Sequence, residues 1–290
     1  MMIWHLAELQ IMARYARFDN HLFLYLILSI SQLLAECGLS QYVGSSPSIN
    51  KLIKKGGKMS DTEVLDKTFH FILKRMVDTG QAPHYTEIAT ELGVAPEEGR
   101  KTMHTLFESR IHGWLYPNTN LIASFAPFNN QPTQFRVTIE GEQKWFAQWA
   151  FESLAVSWLF PGKKVRIDSP CLDCGEPITI EMRDGIIEKA DPEGLIGYVA
   201  LPVSKWWQDG AYAWSTMLFF RSEEHLKNWE QYDPATEGGI SQLDGLLTMF
   251  SGNVFKRRMD PDYFSNMRTY LGELIVEVGG NDKIGVYLKS

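Results

Sequence analysis

The sequence contains very little cysteine. Only Cys37, Cys171 and Cys174 occur among 290 residues, so residues 38–170 and 175–290 contain none. A secreted protein held together by disulfides would need more cysteines, spread along the chain. A single C-x-x-C pair is more typical of the reducing cytosol, where it is a metal-binding or redox candidate. We therefore expect a cytoplasmic protein.

Positive charge is also scarce. The chain has 28 basic and 35 acidic residues, a formal net charge of −7. Residues 59–290 are more acidic still, because six of the basic residues and only three of the acidic ones precede residue 59. Such a body repels phosphate backbones, which argues against a DNA partner. The patterns of phosphate-binding loops, zinc proteases and serine hydrolases are absent from the sequence.

The sequence has no long apolar run. Residues 22–30 (LFLYLILSI) fall short of the roughly 20 residues that a membrane-spanning helix needs, and they make a poor signal peptide. The segment 54–59 (KKGGKM) is what a purine-rich ribosome-binding site would encode before a start codon. Our hypothesis is that Met59 is the true start and that residues 1–58 are a non-native segment. A membrane anchor and a genuine helical extension remain alternatives, and residues 59–290 are expected to cross no membrane.

Residues 59–140 have the pattern of a winged helix. Ser60 and Glu63 form an N-cap signature before a helix that Gly80 closes, and two shorter helices follow, one ending at Gly93 and one beginning at Pro96. A hairpin over 113–116 and 121–123 and a strand over 134–139 supply the wing. The third helix mixes acidic and basic residues, which favours a structural or protein-contact role over DNA reading.

Residues 141–290 indicate a second, mixed α/β domain, giving an α+β protein overall. Aromatic residues predict a long helix over 142–159. The order of the later elements, strands first and helices mostly after them, is typical of α+β domains. The predicted strands are 165–167, 178–182, 186–189, 196–201 and 213–220, and the predicted helices are 223–232, 241–250 and 261–276. The basic cluster at 256–258 is expected to be a solvated helix edge.

Two stretches of this domain carry a family resemblance. One runs from Trp149 to Leu154 (WAFESL) and continues through 162–171 (GKKVRIDSPC) to Gly175 and Pro177. The other is 218–222 (LFFRS), with a tryptophan seven residues later. In this order they resemble the organomercurial (alkylmercury) lyase family. The resemblance covers roughly residues 60–260 and implies a winged helix followed by a lyase-like mixed sheet.

The resemblance implies protonolysis of carbon–mercury bonds, with no cofactor required. In the family, two cysteine thiolates bind the soft metal and an aspartate manages the proton that carbon receives. Here Trp149 and Trp214 replace the two cysteines, and Glu152 replaces the aspartate. Glu152 is therefore the retained proton carrier, or else a solvated or ion-paired residue. Trp149 and Trp214 belong to the core or line an apolar or cation-binding pocket.

Cys171 and Cys174 are the remaining candidates for metal binding and catalysis. The C-x-x-C-G spacing is half of a zinc knuckle, with His225, His104, His112, Asp168 and Asp173 as possible completing ligands. The pair is otherwise a displaced mercury site, a redox dithiol or two plain thiols on a turn. By the resemblance, Cys171 matches a family cysteine that is not catalytic.

Three functions stay open from the sequence. The first is a carbon–mercury lyase, or one for another organometal, that uses Glu152, Cys171 and Cys174 and has weak or absent native activity. The second is a non-catalytic, winged-helix-linked regulatory protein that binds a small organometal or apolar ligand, or a metal such as zinc or mercury. The third is a lyase fold that serves non-metal chemistry.

Overall fold

A computed structural model describes residues 60–109, 111–201, 215–235 and 239–277. The hypothesis about Met59 and the prediction for Trp214 lie outside the described residues. Residues Met59–Ser290 form one compact unit. Among the described residues, no helix has the length and apolar character that would let it cross a membrane.

The chain from residue 60 begins with three helices: α1 (Asp61–Thr79), α2 (Tyr85–Leu92) and α3 (Pro96–Glu108). Their predicted boundaries are confirmed. The Ser60 hydroxyl accepts from the Glu63 amide, while the Glu63 carboxylate accepts from the Ser60 amide. Gly80 and Gly93 end the first two helices in the left-handed conformation that glycine adopts without strain.

One antiparallel sheet of eight strands follows, in the order β1-β2-β3-β5-β4-β6-β7-β8. Its register is regular over long stretches, with all six residues of β6 paired to β7. The strands are β1 (Gly113–Leu115), β2 (Ile122–Phe125), β3 (Phe128–Asn129), β4 (Arg136–Ile139), β5 (Glu142–Ala147), β6 (Val165–Pro170), β7 (Pro177–Arg183) and β8 (Ile186–Asp191).

The predicted helix over 142–159 is wrong in its first half. Residues Glu142–Ala147 form β5, and the helix α4 (Ala150–Ala155) begins only after Trp149, followed by a 3-10 turn (Val156–Leu159). In β5, Trp145 and Ala147 are buried and the residue between them is less so, which is the alternation of a strand. The Trp145 indole donates to the carbonyl of Met76, a contact that ties the sheet to α1.

The C-terminal half adds a three-stranded sheet, β10-β9-β11, and helices, one of which packs directly against α4. Most of the strands and helices predicted here are confirmed, with shorter bounds. The elements are β9 (Ile196–Val199), β10 (Leu218–Phe220), α5 (Glu223–Asn228), β11 (Gly239–Gln242), α6 (Leu243–Phe250), α7 (Asn253–Lys256) and α8 (Tyr263–Glu277). The last helix returns to α1, where the Ser265 amide donates to the Asp66 carboxylate at 2.9 Å.

The molecule is thus α+β, as predicted. The hairpin β1–β2 is the edge of the eight-stranded sheet, so the predicted wing is continuous with the rest of the sheet. The predicted division at residue 140 falls between two paired strands, because Ile139 of β4 is partnered with Glu142 of β5. The winged-helix assignment and the division into two domains remain predictions.

Helices α2 and α3 cross at Gly99, and this crossing gives a stability prediction. A Cβ atom at Gly99 would lie 2.5 Å from the Ala89 Cβ and 2.8 Å from its backbone nitrogen. Gly99→Ala should therefore force the helices apart and lower the free energy of unfolding by about 1–3 kcal/mol, as overpacking does. Urea unfolding followed by circular dichroism measures this change.

The control is Gly272→Ala in α8, where the added Cβ would meet no atom within 4 Å. That change should raise stability by roughly 0.5–1 kcal/mol, because alanine is the better helix former. Equal effects from the two substitutions would contradict the close helix crossing.

Candidate functional site

Glu152 lies in the first turn of α4 and is completely buried. Its carboxylate accepts two hydrogen bonds from the Arg258 guanidinium, from Nη1 to Oε2 at 2.8 Å and from Nη2 to Oε1 at 3.1 Å. Arg258 is itself only 4% exposed. Both carboxylate oxygens are thus engaged by one fork-shaped donor, which is the strongest geometry for such a pair. Glu152 is thus ion-paired, whereas its role as a proton carrier stays a prediction.

The expectation that 256–258 is a solvated helix edge is wrong for Arg258. The residue follows α7, and its guanidinium also lies 5.0 Å from the centre of the Phe255 ring. A signal was present in the sequence: Arg258 follows the apolar Val254 by four residues and Phe255 by three. That helical spacing places it on the buried face of the segment.

The electrostatics around the pair follow from its burial. Desolvation alone would lower the pKa of Arg258, but the adjacent Glu152 carboxylate reverses this effect and the pKa is raised. Burial lowers the pKa of His112, so this side chain is neutral at pH 7. Burial likewise raises the pKa of Tyr263, whose hydroxyl donates to the carbonyl of Val254 at 2.6 Å. These two buried neighbours of the pair are therefore uncharged at neutral pH.

A cavity of about 230 Å³ adjoins Arg258. Most of its wall is apolar, and Arg258 lines it whereas Glu152 does not. A molecule in the cavity would therefore contact Arg258 and not Glu152. The lining residues are Phe69, Ser109, Ile111, His112, Phe125, Ala126, Val254, Phe255, Arg258, Tyr263, Met267, Arg268 and Leu271.

Trp149 faces a different space. It is half-buried, and its ring centre lies 5.7 Å from that of Trp114. Both rings line a second, shallower cavity of about 250 Å³ that also includes Gln148 and Thr133. Trp149 thus packs against the core and lines this cavity, and a ligand-binding role for it stays a prediction. Its predicted partner Trp214 lies outside the described residues.

Cys171 and Cys174 occupy the tight turn between β6 and β7. The Gly175 amide donates to the Cys171 carbonyl, and the Cys171 amide donates to the Glu176 carbonyl, both at 2.9 Å. Gly175 has a φ of +76°, which favours glycine at this position. Cys171 is buried and Cys174 is exposed, and neither forms a disulfide.

His225 lies near the start of α5 and is distant from the two cysteines in the sequence. In the fold it lies beside the loop that carries them. Ligand atoms of Cys171, Cys174 and His225 all lie within 4.8 Å of one another, the one such cluster among the described residues. Asp173 is the hydrogen-bond partner of the His225 ring, with Oδ2 2.7 Å from Nδ1. Sequence spacing could not single out His225, because it lies 51 residues beyond the second cysteine.

The other possible completing ligands are engaged elsewhere. His104 contacts Asn120 at 2.7 Å, Asp168 is paired with Arg166, and His112 lines the cavity beside Arg258. Glu152 is not a member of the Cys171–Cys174–His225 cluster. The residues assigned to catalysis from the sequence are therefore divided between two places in the fold.

Comparison with known proteins agrees with this architecture. The family model described as alkylmercury lyase matches residues 128–254, which include α4, the thiol turn and His225. This part of the chain is thus alkylmercury lyase-like. No curated protein has a matching sequence.

Among solved structures, the mercury-bound form of MerB2 resembles this alkylmercury lyase-like chain. The two share 20% sequence identity with a TM-score of 0.50, and the match covers 71% of this chain and all of the other. At this identity the likeness concerns the fold. The family match ends at residue 254, four residues before Arg258.

The buried ion pair gives a second stability prediction. Glu152→Gln keeps the shape of the side chain but leaves the Arg258 charge buried without a counter-charge. It should lower the free energy of unfolding by about 3–5 kcal/mol, measured by urea denaturation.

Two matched controls distinguish the effect of an unpaired buried charge on the free energy of unfolding from the effect of any substitution. Replacing both partners together, with Glu152→Leu and Arg258→Met, should cost far less than the single change, because no lone charge remains. Asp78→Asn breaks an exposed pair with Lys74 and should change stability by no more than about 1 kcal/mol. A Glu152→Gln effect as small as that of Asp78→Asn would show that the pair is not buried in solution.

Proposed function

We propose that this chain is a non-catalytic, ligand-binding protein built on the alkylmercury lyase fold, and that its native carbon–mercury cleavage is weak or absent. One observation carries the proposal: the Glu152 carboxylate is fully buried and doubly bonded to Arg258. A proton carrier must reach the reacting atom directly or through one water molecule. A carboxylate that is fully buried, bonded at both oxygens and absent from the cavity wall lacks that access.

The placement of the sulfurs supports the same proposal. Protonolysis requires thiolates on the mercury and a carboxyl group near the leaving carbon. Cys171 and Cys174 cluster with His225, and Glu152 is not in that cluster. Trp149 offers an indole ring where the resemblance implies the first thiolate.

The ligand that we propose is a compact, mainly apolar molecule, and the organic part of an organometal fits this description. The cavity beside Arg258 has mostly apolar walls and a volume of about 230 Å³, slightly below the usual range for drug-sized ligands. Its polar groups are few, as is typical of sites that fix the orientation of a small molecule.

We further propose that helices α1–α3 and the hairpin β1–β2 act as a winged-helix segment that contacts protein or ligand instead of DNA, in the cytoplasm. The net charge of −7 argues against DNA binding. Arg100 of α3 is already paired with Glu97, and this pairing removes one of the few cations that the helix could offer to phosphate.

Phenylmercury acetate with excess thiol tests the absence of cleavage. We expect the purified chain to release benzene no faster than a protein-free blank, as measured by gas chromatography. The matched variants are Cys171→Ser and Cys174→Ser. Benzene release that either variant abolishes would overturn the proposal and favour the second candidate, a lyase with relocated thiols.

Benzene binding tests the cavity. Benzene should raise the melting temperature of the wild-type chain, because compact arenes occupy apolar cavities of this size. Leu271→Trp, which places an indole in the cavity, should remove that shift. The control is Leu121→Trp at an exposed site, which should leave it unchanged. A wild-type melting temperature that does not respond to benzene would contradict an apolar ligand site.

A further inference from the structure

The turn between β6 and β7 is constructed like a metal-binding knuckle. Its two backbone hydrogen bonds, from Gly175 to Cys171 and from Cys171 to Glu176, close the loop that carries both cysteines. A spacing of two residues lets both sulfurs reach one tetrahedral ion. The turn is thus organised before any ion arrives, which lowers the entropic cost of binding.

A third ligand is already close to the two sulfurs. Ligand atoms of Cys171, Cys174 and His225 lie within 4.8 Å of one another. In a tetrahedral zinc site, Zn–S bonds of about 2.3 Å and Zn–N bonds of about 2.0–2.1 Å place neighbouring ligand atoms roughly 3.5–3.8 Å apart. A small inward movement of the side chains is enough to bind an ion.

Asp173 orients the histidine. Its carboxylate is 2.7 Å from Nδ1 of His225, and because a carboxylate only accepts hydrogen bonds at neutral pH, Nδ1 carries the proton. The lone pair of the neutral ring is then on Nε2, which is the nitrogen that can bind a metal. A carboxylate–histidine–metal arrangement of this kind fixes the tautomer and increases the basicity of the ligand.

The segment that carries His225 is also anchored to the turn. The Arg221 guanidinium donates to the carbonyl of Pro177, the first residue of β7, at 2.7 Å. The Ser222 hydroxyl caps α5 by accepting from the His225 amide. The position of the imidazole is therefore fixed by contacts other than the metal.

We propose that Cys171, Cys174 and His225 form a zinc site, with Asp173 as a positioning residue. Two thiolates and an imidazole suit zinc and softer ions and disfavour calcium and magnesium. Three protein ligands leave the fourth tetrahedral position for water or an external thiolate. Exposed Cys174 and half-buried His225 keep the site accessible from solvent. Zinc in this site would occupy both of the thiols that a relocated lyase reaction would need.

Metal content of the full chain tests the site. Protein purified without chelator should contain one equivalent of zinc by mass spectrometry. After chelator treatment, Co²⁺ should restore one equivalent, with the intense visible absorption of a tetrahedral cobalt–thiolate complex. A chain that holds no zinc and forms no such cobalt complex, or that purifies with a Cys171–Cys174 disulfide, would overturn the proposal.

Variants assign the ligands. Cys174→Ser, at an exposed position, and His225→Ala should each lower zinc affinity by at least 100-fold in a competition titration with a chromophoric chelator. Asp173→Asn should lower it by about 10–100-fold, as loss of a carboxylate behind a metal-bound histidine does. His104→Ala, a histidine outside the cluster, should have wild-type affinity. Wild-type affinity in Cys174→Ser or His225→Ala would contradict the assignment.

The zinc site is independent of the proposed ligand-binding function. Benzene binding and phenylmercury turnover report on the cavity and on cleavage, whereas zinc content and the cobalt spectrum report only on the thiol turn. Circular dichroism of each variant verifies that the fold is retained, so loss of metal is distinguished from unfolding.

Discussion

The side chains of Glu152 and Arg258 are both charged, and the fold removes both from water. Two such charges persist in an apolar interior only when their geometry is complementary, as in this bidentate pair. The partners are 106 residues apart in the chain, one in α4 and one after α7. The C-terminal helices must therefore close over α4 in one position. The same part of the chain supplies much of the cavity wall, so the pair and the cavity lie side by side.

Because Arg258 holds Glu152 in this way, the fold of the family can be present without the chemistry of the family. Residues 128–254 match the alkylmercury lyase family model, yet the carboxylate in α4 is held by an arginine beyond the matched region. The thiols, meanwhile, lie on a turn with His225 and Asp173 as their neighbours. A fold positions backbone elements, but a reaction needs particular side chains at one point, and function must be argued from those side chains.

The sequence allowed the prediction of those features that depend on interactions between neighbouring residues. Ser60, Gly80 and Gly93 fix helix ends within a few residues, so those boundaries were predictable from neighbouring residues alone. Strand β5 was not predictable in this way. Its aromatic residues lead without interruption into α4, and the side-chain periodicity changes from that of a strand to that of a helix only at Trp149. Arg258 and His225 owe their roles to partners 106 and about 50 residues away, a distance at which periodicity and spacing carry no information. The two candidate thiols were evident from the sequence, whereas His225, which lies beside them, was one of five candidate ligands.

Net charge explains why the two places suit different ligands. The pair of Glu152 and Arg258 is neutral as a whole, and no cysteine lines the cavity beside it, so the anionic sulfur that a mercury cation prefers is missing there. A mostly apolar cavity stabilises a neutral, apolar molecule through the area that it buries. The thiol turn is the opposite case. Two sulfurs that ionise on metal binding, together with Asp173 behind His225, provide the negative charge that a divalent cation requires. The proposed cation binding and the proposed apolar binding thereby lie in separate parts of one fold.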